Sequence, residues 1–165
     1  MDGPRPYRIR LASVHDASDI SALIESMLHY RSPVPTGPAP PAFTAQFRPE
    51  VLASMLASDA YRYHVANEEA QLIGVIGVRD NRHLLHLFVA ESHHRRGIAA
   101  ALWRHAKAAV LETMPDVEMT VRSSIFAVEV YRRFGFTVAG PRVDGPICYV
   151  PMCLRLRREE PPART

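Results

Sequence analysis

Cysteine is scarce in this sequence, which contains only Cys148 and Cys153. The two lie five positions apart in a segment typical of a strand, so their Cα atoms would be about 17 Å apart. A disulfide needs Cα atoms within about 7 Å of each other. We therefore expect neither a disulfide nor a two-cysteine metal site.

Lysine is scarcer still, because Lys107 is the only one and all other basic residues are arginines. The formal net charge of +3 is too small to indicate nucleic-acid binding by itself, and we expect no nucleic-acid partner. His93, His94 and His105 follow no recognised metal-ligand spacing, so we expect no metal site either.

Long apolar runs are also missing from the sequence. None reaches the roughly 18–20 residues that a membrane span needs, and the first residues lack the apolar core of a signal peptide. These absences predict a cytoplasmic protein with no membrane partner. The length is typical of one domain, and we assign residues 1–165 to a single domain with a frayed tail over about 157–165.

The pattern of apolar residues predicts an α/β protein with the element order β-α-α-β-β-β-α-β-α-β-β. Residues 31–47 contain five prolines and are predicted to form a loop, because prolines at this density interrupt helices and strands. The predicted strands are 7–12, 61–67, 71–79, 83–90, 117–121, 136–139 and 147–156. The predicted helices follow a cap at Asp16 or Ser18, begin at Pro49, and span 97–113 and 124–134.

The most informative stretch is residues 83–99, which read H-L-L-H-L-F-V-A-E-S-H-H-R-R-G-I-A. A predicted strand ends near Ala90, and a predicted helix opens near Gly97. The first N–H groups of a helix have no partner within it and lie at the positive end of its dipole. The backbone of residues 95–99 would therefore direct several donors at one point, which suits a pyrophosphate. A solvated helix start that contains a glycine is the plain alternative.

A second pattern lies in residues 124–136, S-I-F-A-V-E-V-Y-R-R-F-G-F, which place Tyr131 four residues before Gly135. The element order, R-R-G-I-A and Y-x-x-x-G-F together resemble the GNAT (GCN5-related N-acetyltransferase) family over residues 7–156. The family's coenzyme-binding signature, Q/R-x-x-G-x-G/A, falls on residues 94–99. His94 stands where Gln or Arg is usual, and Ser124 stands where an Asn often contacts the coenzyme.

The resemblance implies a mixed, mostly antiparallel sheet of seven strands flanked by four helices, with the fourth strand splayed from the fifth. Acetyl-coenzyme A would lie in that gap, and a bulge in the fourth strand would free an N–H for the thioester carbonyl. The family's activity is N-acetyl transfer, and some members dimerise through the last strands. The residues expected to bind the coenzyme are Leu87, Phe88, Val89, His94, Arg95, Arg96, Gly97, Ile98, Ala99, Ser124 and Tyr131.

The resemblance also suggests catalytic residues. Tyr131 matches a family tyrosine that is often placed beside the departing sulfur, where a phenol can donate a hydrogen bond or a proton. The plain alternative is that Tyr131 is only a core aromatic of its helix. His83 occupies a place where the family often has a base, and a neutral histidine can accept the proton of the attacking amine. His86 and a chain of waters are the alternatives for that base. Because the two histidines are three residues apart, they face opposite sides of the strand unless a bulge intervenes.

The acceptor would be a primary amine of a small molecule or peptide that attacks directly in a ternary complex. By the same resemblance it would enter opposite the coenzyme, over residues 31–48 and 140–147. The sequence has no carboxylate between Arg31 and Pro49, which disfavours a polycationic acceptor. Two other functions stay open, a non-catalytic acyl-coenzyme A sensor and a basic nucleic-acid-binding module.

Overall fold

The fold is built on one mixed sheet, seen in a computed structural model that describes residues 6–30 and 39–160. Its seven strands lie in the order β1-β2-β3-β4-β5-β7-β6, and every neighbouring pair is antiparallel except β4 and β5. This confirms the predicted mixed, mostly antiparallel sheet. The strands are β1 (Arg8–Leu11), β2 (Tyr61–Glu68), β3 (Gln71–Arg79), β4 (His83–Val89), β5 (Asp116–Ser123), β6 (Thr137–Val138) and β7 (Val150–Arg157).

Five α-helices flank the sheet within the described residues, one more than predicted. They are α1 (Ala17–Tyr30), α2 (Pro41–Thr44), α3 (Pro49–Leu56), α4 (Ile98–Thr113) and α5 (Val128–Arg133). The additional helix, α2, is a single turn in the segment predicted to be a loop. Pro40 and Pro41 occupy its cap and first position, where a missing N–H breaks no helical hydrogen bond. Residues 31–38 of that segment lie outside the described residues.

Apolar side chains pack on both faces of the sheet. One face is covered by α4 and α5, and we call it the α4 face. Its core includes Leu84, Val121 and Tyr131. The opposite face, here the α1 face, is covered by α1 and α3 over β2, β3 and β4. Because β3 is buried on both faces, seven successive residues of it are buried and its sequence is a continuous apolar run.

The helices leave part of the α1 face uncovered along β5. Val117, Met119 and Val121 point into the core of the α4 face, so the residues that alternate with them lie on the α1 face. These residues include Thr120 and Arg122, and both are exposed. This half of the sheet therefore presents polar side chains beside β4, where the site described below begins.

The C-terminal part of the chain continues past β7 in an ordered contact. The N–H of Arg158 donates to the Pro115 carbonyl at 2.8 Å, and its guanidinium donates to the Leu111 carbonyl at the end of α4. Residues 161–165 of the predicted frayed tail lie outside the described residues.

Cys148 and Cys153 are both free thiols. No helix in the described ranges has the length and hydropathy of a membrane span.

Candidate active site

The parallel pair β4 and β5 separates after two residues. Only His83 with Thr120 and Leu84 with Val121 are paired, and beyond them the strands diverge. The Thr120 N–H also donates to the Arg82 carbonyl at 2.8 Å, which fixes the closed end of the pair. The predicted splay between the fourth and fifth strands is therefore confirmed, and it opens a gap in the middle of the sheet.

A β-bulge lies at the point where the gap begins. Leu84 is paired with Val78 and His86 with Gly77, so Leu85 is an extra residue in β4 that has no paired residue in β3. Leu84 packs in the core of the α4 face, whereas His86 packs against an aromatic ring of the α1 face. The bulge thus places His83 and His86 on the same face of the strand, the α1 face.

The segment expected to bind pantetheine forms the β4 edge of the gap. Leu87, Phe88 and Val89 pair with β3 on one side, and no residue of β5 is paired with them on the other. In an antiparallel pair, alternate residues direct their backbone groups away from the partner strand. The gap side of β4 therefore carries main-chain donors and acceptors that an extended ligand can pair with.

The loop between β4 and α4 places backbone N–H groups around one point. Arg95 and Gly97 have left-handed φ values of 60° and 75°, and the first helical bond runs from the Ala101 N–H to the Gly97 carbonyl at 3.0 Å. The N–H groups of residues 95–100 therefore have no backbone acceptor within the described residues. A succession of N–H groups with alternating handedness at a helix start is a concave anion-binding site.

Side chains of this loop hold its shape instead of reaching into the cradle. His94 Nε2 donates to the Val89 carbonyl at 2.7 Å, which ties the loop to the end of β4. Glu68 of β2 accepts from Arg96 at 2.9 Å and contacts His93 Nε2 at 2.7 Å. The bonds from His93 and Arg96 hold the pKa of the Glu68 carboxyl below its usual range. Of Arg95 and Arg96, both expected to bind the coenzyme, only Arg95 is without a side-chain partner among the described residues.

Tyr131 lies on α5 in the core of the α4 face, together with the last paired residues of β4 and β5. Its ring is 6 % exposed and packs edge-on against Phe134 and Phe136. Burial raises the pKa of the Tyr131 phenol, so it keeps its proton near neutral pH. Within the described residues the hydroxyl makes no hydrogen bond.

Ser124 follows directly after β5, on the opposite edge of the gap from residues 87–89. It is half-buried, and its carbonyl accepts from the Ser123 hydroxyl at 2.7 Å and from the Ala127 N–H at 3.1 Å. The helix predicted from Ser124 begins only at Val128, because residues 125–127 form a turn. Ile98 and Ala99 open α4, and the buried Ile98 side chain anchors the cradle in the core.

His83 lies on the α1 face at the closed end of the gap. Its Nδ1 is 2.8 Å from the Thr120 hydroxyl. Burial lowers the pKa of His83, and the positive charges of Arg79 and Arg122 lower it further. The ring is therefore neutral at pH 7, and when Nδ1–H donates to Thr120, Nε2 carries the lone pair. Sequence reasoning missed Thr120, because the register of a parallel pair leaves no local sequence signal.

His86 lies on the same face but deeper in the core. It is 4 % exposed, its Nδ1 is 2.9 Å from the Tyr63 hydroxyl, and Nε2 has no partner within the described residues. Burial lowers the pKa of His86 to about 3. Tyr63 reaches His86 across Gly77, where a Cβ would lie 2.3 Å from the Tyr63 ring. His86 is thus a neutral core group, more enclosed than His83.

The three histidines considered for a metal have other partners. His93 and His94 hold the loop as described, and His105 Nδ1 is 3.0 Å from the Ala101 carbonyl of its own helix. Among the described residues no group of three or more His, Cys, Asp or Glu side chains lies close enough to hold a metal ion.

The sequence model of the acetyltransferase (GNAT) domain matches residues 31–156. The chain belongs to this family. GNAT members transfer acetyl groups from acetyl-coenzyme A, which is therefore the cofactor of this chain. The unpartnered edge of β4 and the N–H cradle of α4 fit its pantetheine and pyrophosphate. No curated protein matches the chain significantly.

Solved structures show the same fold at low sequence identity. The PaiA N-acetyltransferase from Thermoplasma acidophilum, in complex with coenzyme A, is 17 % identical with a TM-score of 0.70, over 88 % of this chain and 97 % of that one. The ribosomal-protein-S18-alanine N-acetyltransferase from Escherichia coli is 16 % identical with a TM-score of 0.62, over 96 % and 99 %. A spermidine N-acetyltransferase from Vibrio cholerae is 16 % identical with a TM-score of 0.61, over 92 % and 95 %.

Proposed function

We propose that this protein transfers the acetyl group of acetyl-coenzyme A to a primary amine by direct attack in a ternary complex. The observation that carries the proposal is the opening of the sheet between β4 and β5, together with a phenol in the core of one face and a neutral histidine on the other. Tyr131 belongs to the α4 face, and His83 belongs to the α1 face. The coenzyme thiol and the amine can then approach the same point from opposite sides of the sheet.

His83 is proposed to accept the proton of the amine. An alkylammonium with a pKa near 10.4 is only about 0.04 % neutral at pH 7, so a nearby base contributes to the rate. His83 meets this need because it is neutral, half-exposed and oriented by Thr120. His86 suits the role less, because burial and its bond to Tyr63 separate it from solvent.

Tyr131 is proposed to serve the leaving group. Acetyl-coenzyme A supplies the thioester that the amine attacks, and the C–N bond forms as the C–S bond breaks. Tyr131 donates a hydrogen bond or its proton to the departing sulfur, since its raised pKa keeps the phenol protonated. The main chain at the Leu85 bulge is proposed to stabilise the developing negative charge on the carbonyl oxygen.

Dimerisation through the last strands stays a prediction.

The activity is tested by adding acetyl-coenzyme A and a panel of primary amines to the protein and measuring free thiol. We expect thiol release that depends on the amine, and thermal stabilisation by the coenzyme of about 2.7 kcal/mol at 100 times its dissociation constant. Stabilisation without thiol release from any amine would identify a sensor. Binding that ignores the coenzyme but weakens steeply with salt in the presence of nucleic acid would identify a nucleic-acid module.

The substitution Tyr131→Phe removes one hydroxyl and keeps the ring that packs on Phe134 and Phe136. We expect coenzyme affinity within about twofold of wild type and kcat lowered by roughly 10- to 100-fold, because the leaving thiolate loses its donor. Calorimetry and steady-state kinetics measure the two quantities. Tyr61→Phe, the same change on the other face, serves as the control. An unchanged kcat would remove Tyr131 from the mechanism.

The role of His83 is read from the pH dependence of kcat/KM. The lowered pKa of His83 predicts an acidic limb with an apparent pKa below 6.5, since activity is lost as the base becomes protonated. We expect His83→Ala to reduce kcat/KM and to abolish that limb. His15→Ala, at an exposed histidine far along the chain, is the matched control. If His83→Ala keeps the wild-type limb, the base is another group.

A further inference from the structure

Arg122 lies at the entrance of the gap on the α1 face. It follows Thr120 by two residues on β5, so the two side chains share a face. Its neighbour in β7 is Pro151, whereas on the other side the pairing with β4 has already ended at Val121. Arg122 is thus the first residue of β5 on this face that borders the gap instead of a paired strand.

The guanidinium of Arg122 is held by an aromatic ring and has no carboxylate partner among the described residues. It lies over the Tyr149 ring, with Cζ 5.1 Å from the ring centroid. Neighbouring arginines differ in this respect. Arg155 on the same face contacts Asp116 at 2.6 Å, and Arg142 in the nearby loop contacts Asp144 at 2.7 Å. Glu118 shares this face four residues before Arg122 and is exposed, but it forms no ion pair with Arg122. Among the described residues Arg122 therefore keeps its charge and its donors for another group.

The electrostatic environment of His83 also favours an anionic group on the acceptor. After burial, the charges that lower its pKa come from Arg79 and Arg122, and no carboxylate raises it. Arg79 is the β3 residue paired with His83, and its one ion pair among the described residues, with Asp80, is long at 3.8 Å. The proposed base is therefore flanked by a guanidinium on each side. A polycationic acceptor would be repelled there, whereas an anionic group would be attracted.

The loop expected to border the acceptor repeats this charge bias in its sequence. Residues 31–48 contain Arg31 and Arg48 and no carboxylate at all. In the described residues, Arg79 and Arg122 lie beside His83, and the one carboxylate of residues 140–147, Asp144, is paired with Arg142. An acceptor recognised by this surface carries negative charge in addition to its amine.

We propose that the acceptor is a small primary amine that also bears a carboxylate, and that Arg122 binds this carboxylate. The inference rests on the acetyl transfer proposed above. A guanidinium can bind a carboxylate through two parallel hydrogen bonds, and stacking on Tyr149 holds its plane. Thr120, which orients His83, is about 7 Å along the strand from Arg122. The nitrogen and carboxylate are two bonds apart in an α-amino acid and four bonds apart in a γ-amino acid, and the long arginine side chain can span the remaining distance in either case.

The test compares matched pairs of acceptors that differ only in the carboxylate, such as phenylalanine with phenethylamine and γ-aminobutyrate with propylamine. Thiol release is measured at pH 8, where His83 is neutral in every variant. We expect kcat/KM to be about tenfold higher or more for the member of the preferred pair that has the carboxylate. A charge-assisted hydrogen bond to Arg122 contributes a factor of this size. The two pairs also distinguish an α- from a γ-amino acid.

Variants then assign the preference to Arg122. Arg122→Gln is expected to lower the ratio within the preferred pair about tenfold, mainly through KM, and Arg122→Lys to restore part of it. Arg155→Gln removes an arginine from the same face that is paired with Asp116, and it should leave the ratio unchanged.

Two results would overturn the inference and leave acetyl transfer standing. One is a neutral amine acetylated as well as its carboxylate partner in every pair. The other is an equal loss for both members of a pair in Arg122→Gln. Absence of thiol release from every amine would instead overturn the acetyl transfer, and this inference with it.

Discussion

The parting of β4 from β5 after Leu84 and Val121 is the constraint on which the site depends. Backbone donors and acceptors inside a sheet need partners, and a strand that leaves its neighbour loses them on one side. The bulge at Leu85 and the left-handed residues Arg95 and Gly97 add further main-chain groups without internal partners. The gap and the adjoining start of α4 therefore form one continuous row of main-chain contacts suited to an extended, anionic coenzyme.

If backbone groups bind the coenzyme, the protein can differ from its family's usual side chains at residues 94 and 124 and still keep the binding site. His94 supplies a bond to the Val89 carbonyl that stabilises the loop, and Glu68 holds the same loop from β2. Neither side chain needs to touch the coenzyme. The proposed chemistry is also divided between the two faces of the sheet, with Tyr131 in the core of the α4 face and His83 on the α1 face. In this arrangement the positive charges of Arg79 and Arg122 beside His83 act on the acceptor and not on the coenzyme.

The element order and the cradle could be predicted from local features of the sequence, whereas the splayed sheet of seven strands was predicted from the resemblance to the GNAT family. A strand, a glycine and an alanine-rich helix in succession suffice to place a helix start at residues 95–99. The partners of the site residues depend on register, which no local pattern encodes. Thr120 meets His83, and Glu68 meets Arg96, only because distant strands align in one particular way. The single turn α2 was not predicted because proline interrupts the interior of a helix, although it is compatible with the first position of one.

The central claim, that the start of α4 binds the coenzyme pyrophosphate through its backbone, is tested most directly at Gly97. A Cβ there would meet no atom within 4 Å, and Asn and Asp both tolerate left-handed φ better than other residues. Gly97→Asn and Gly97→Asp therefore share their steric and backbone effects and differ in one charge. Calorimetric titration with coenzyme A should give an affinity about tenfold or more weaker for Gly97→Asp than for Gly97→Asn, because the carboxylate repels the pyrophosphate. Equal affinities would place the pyrophosphate elsewhere and contradict the account.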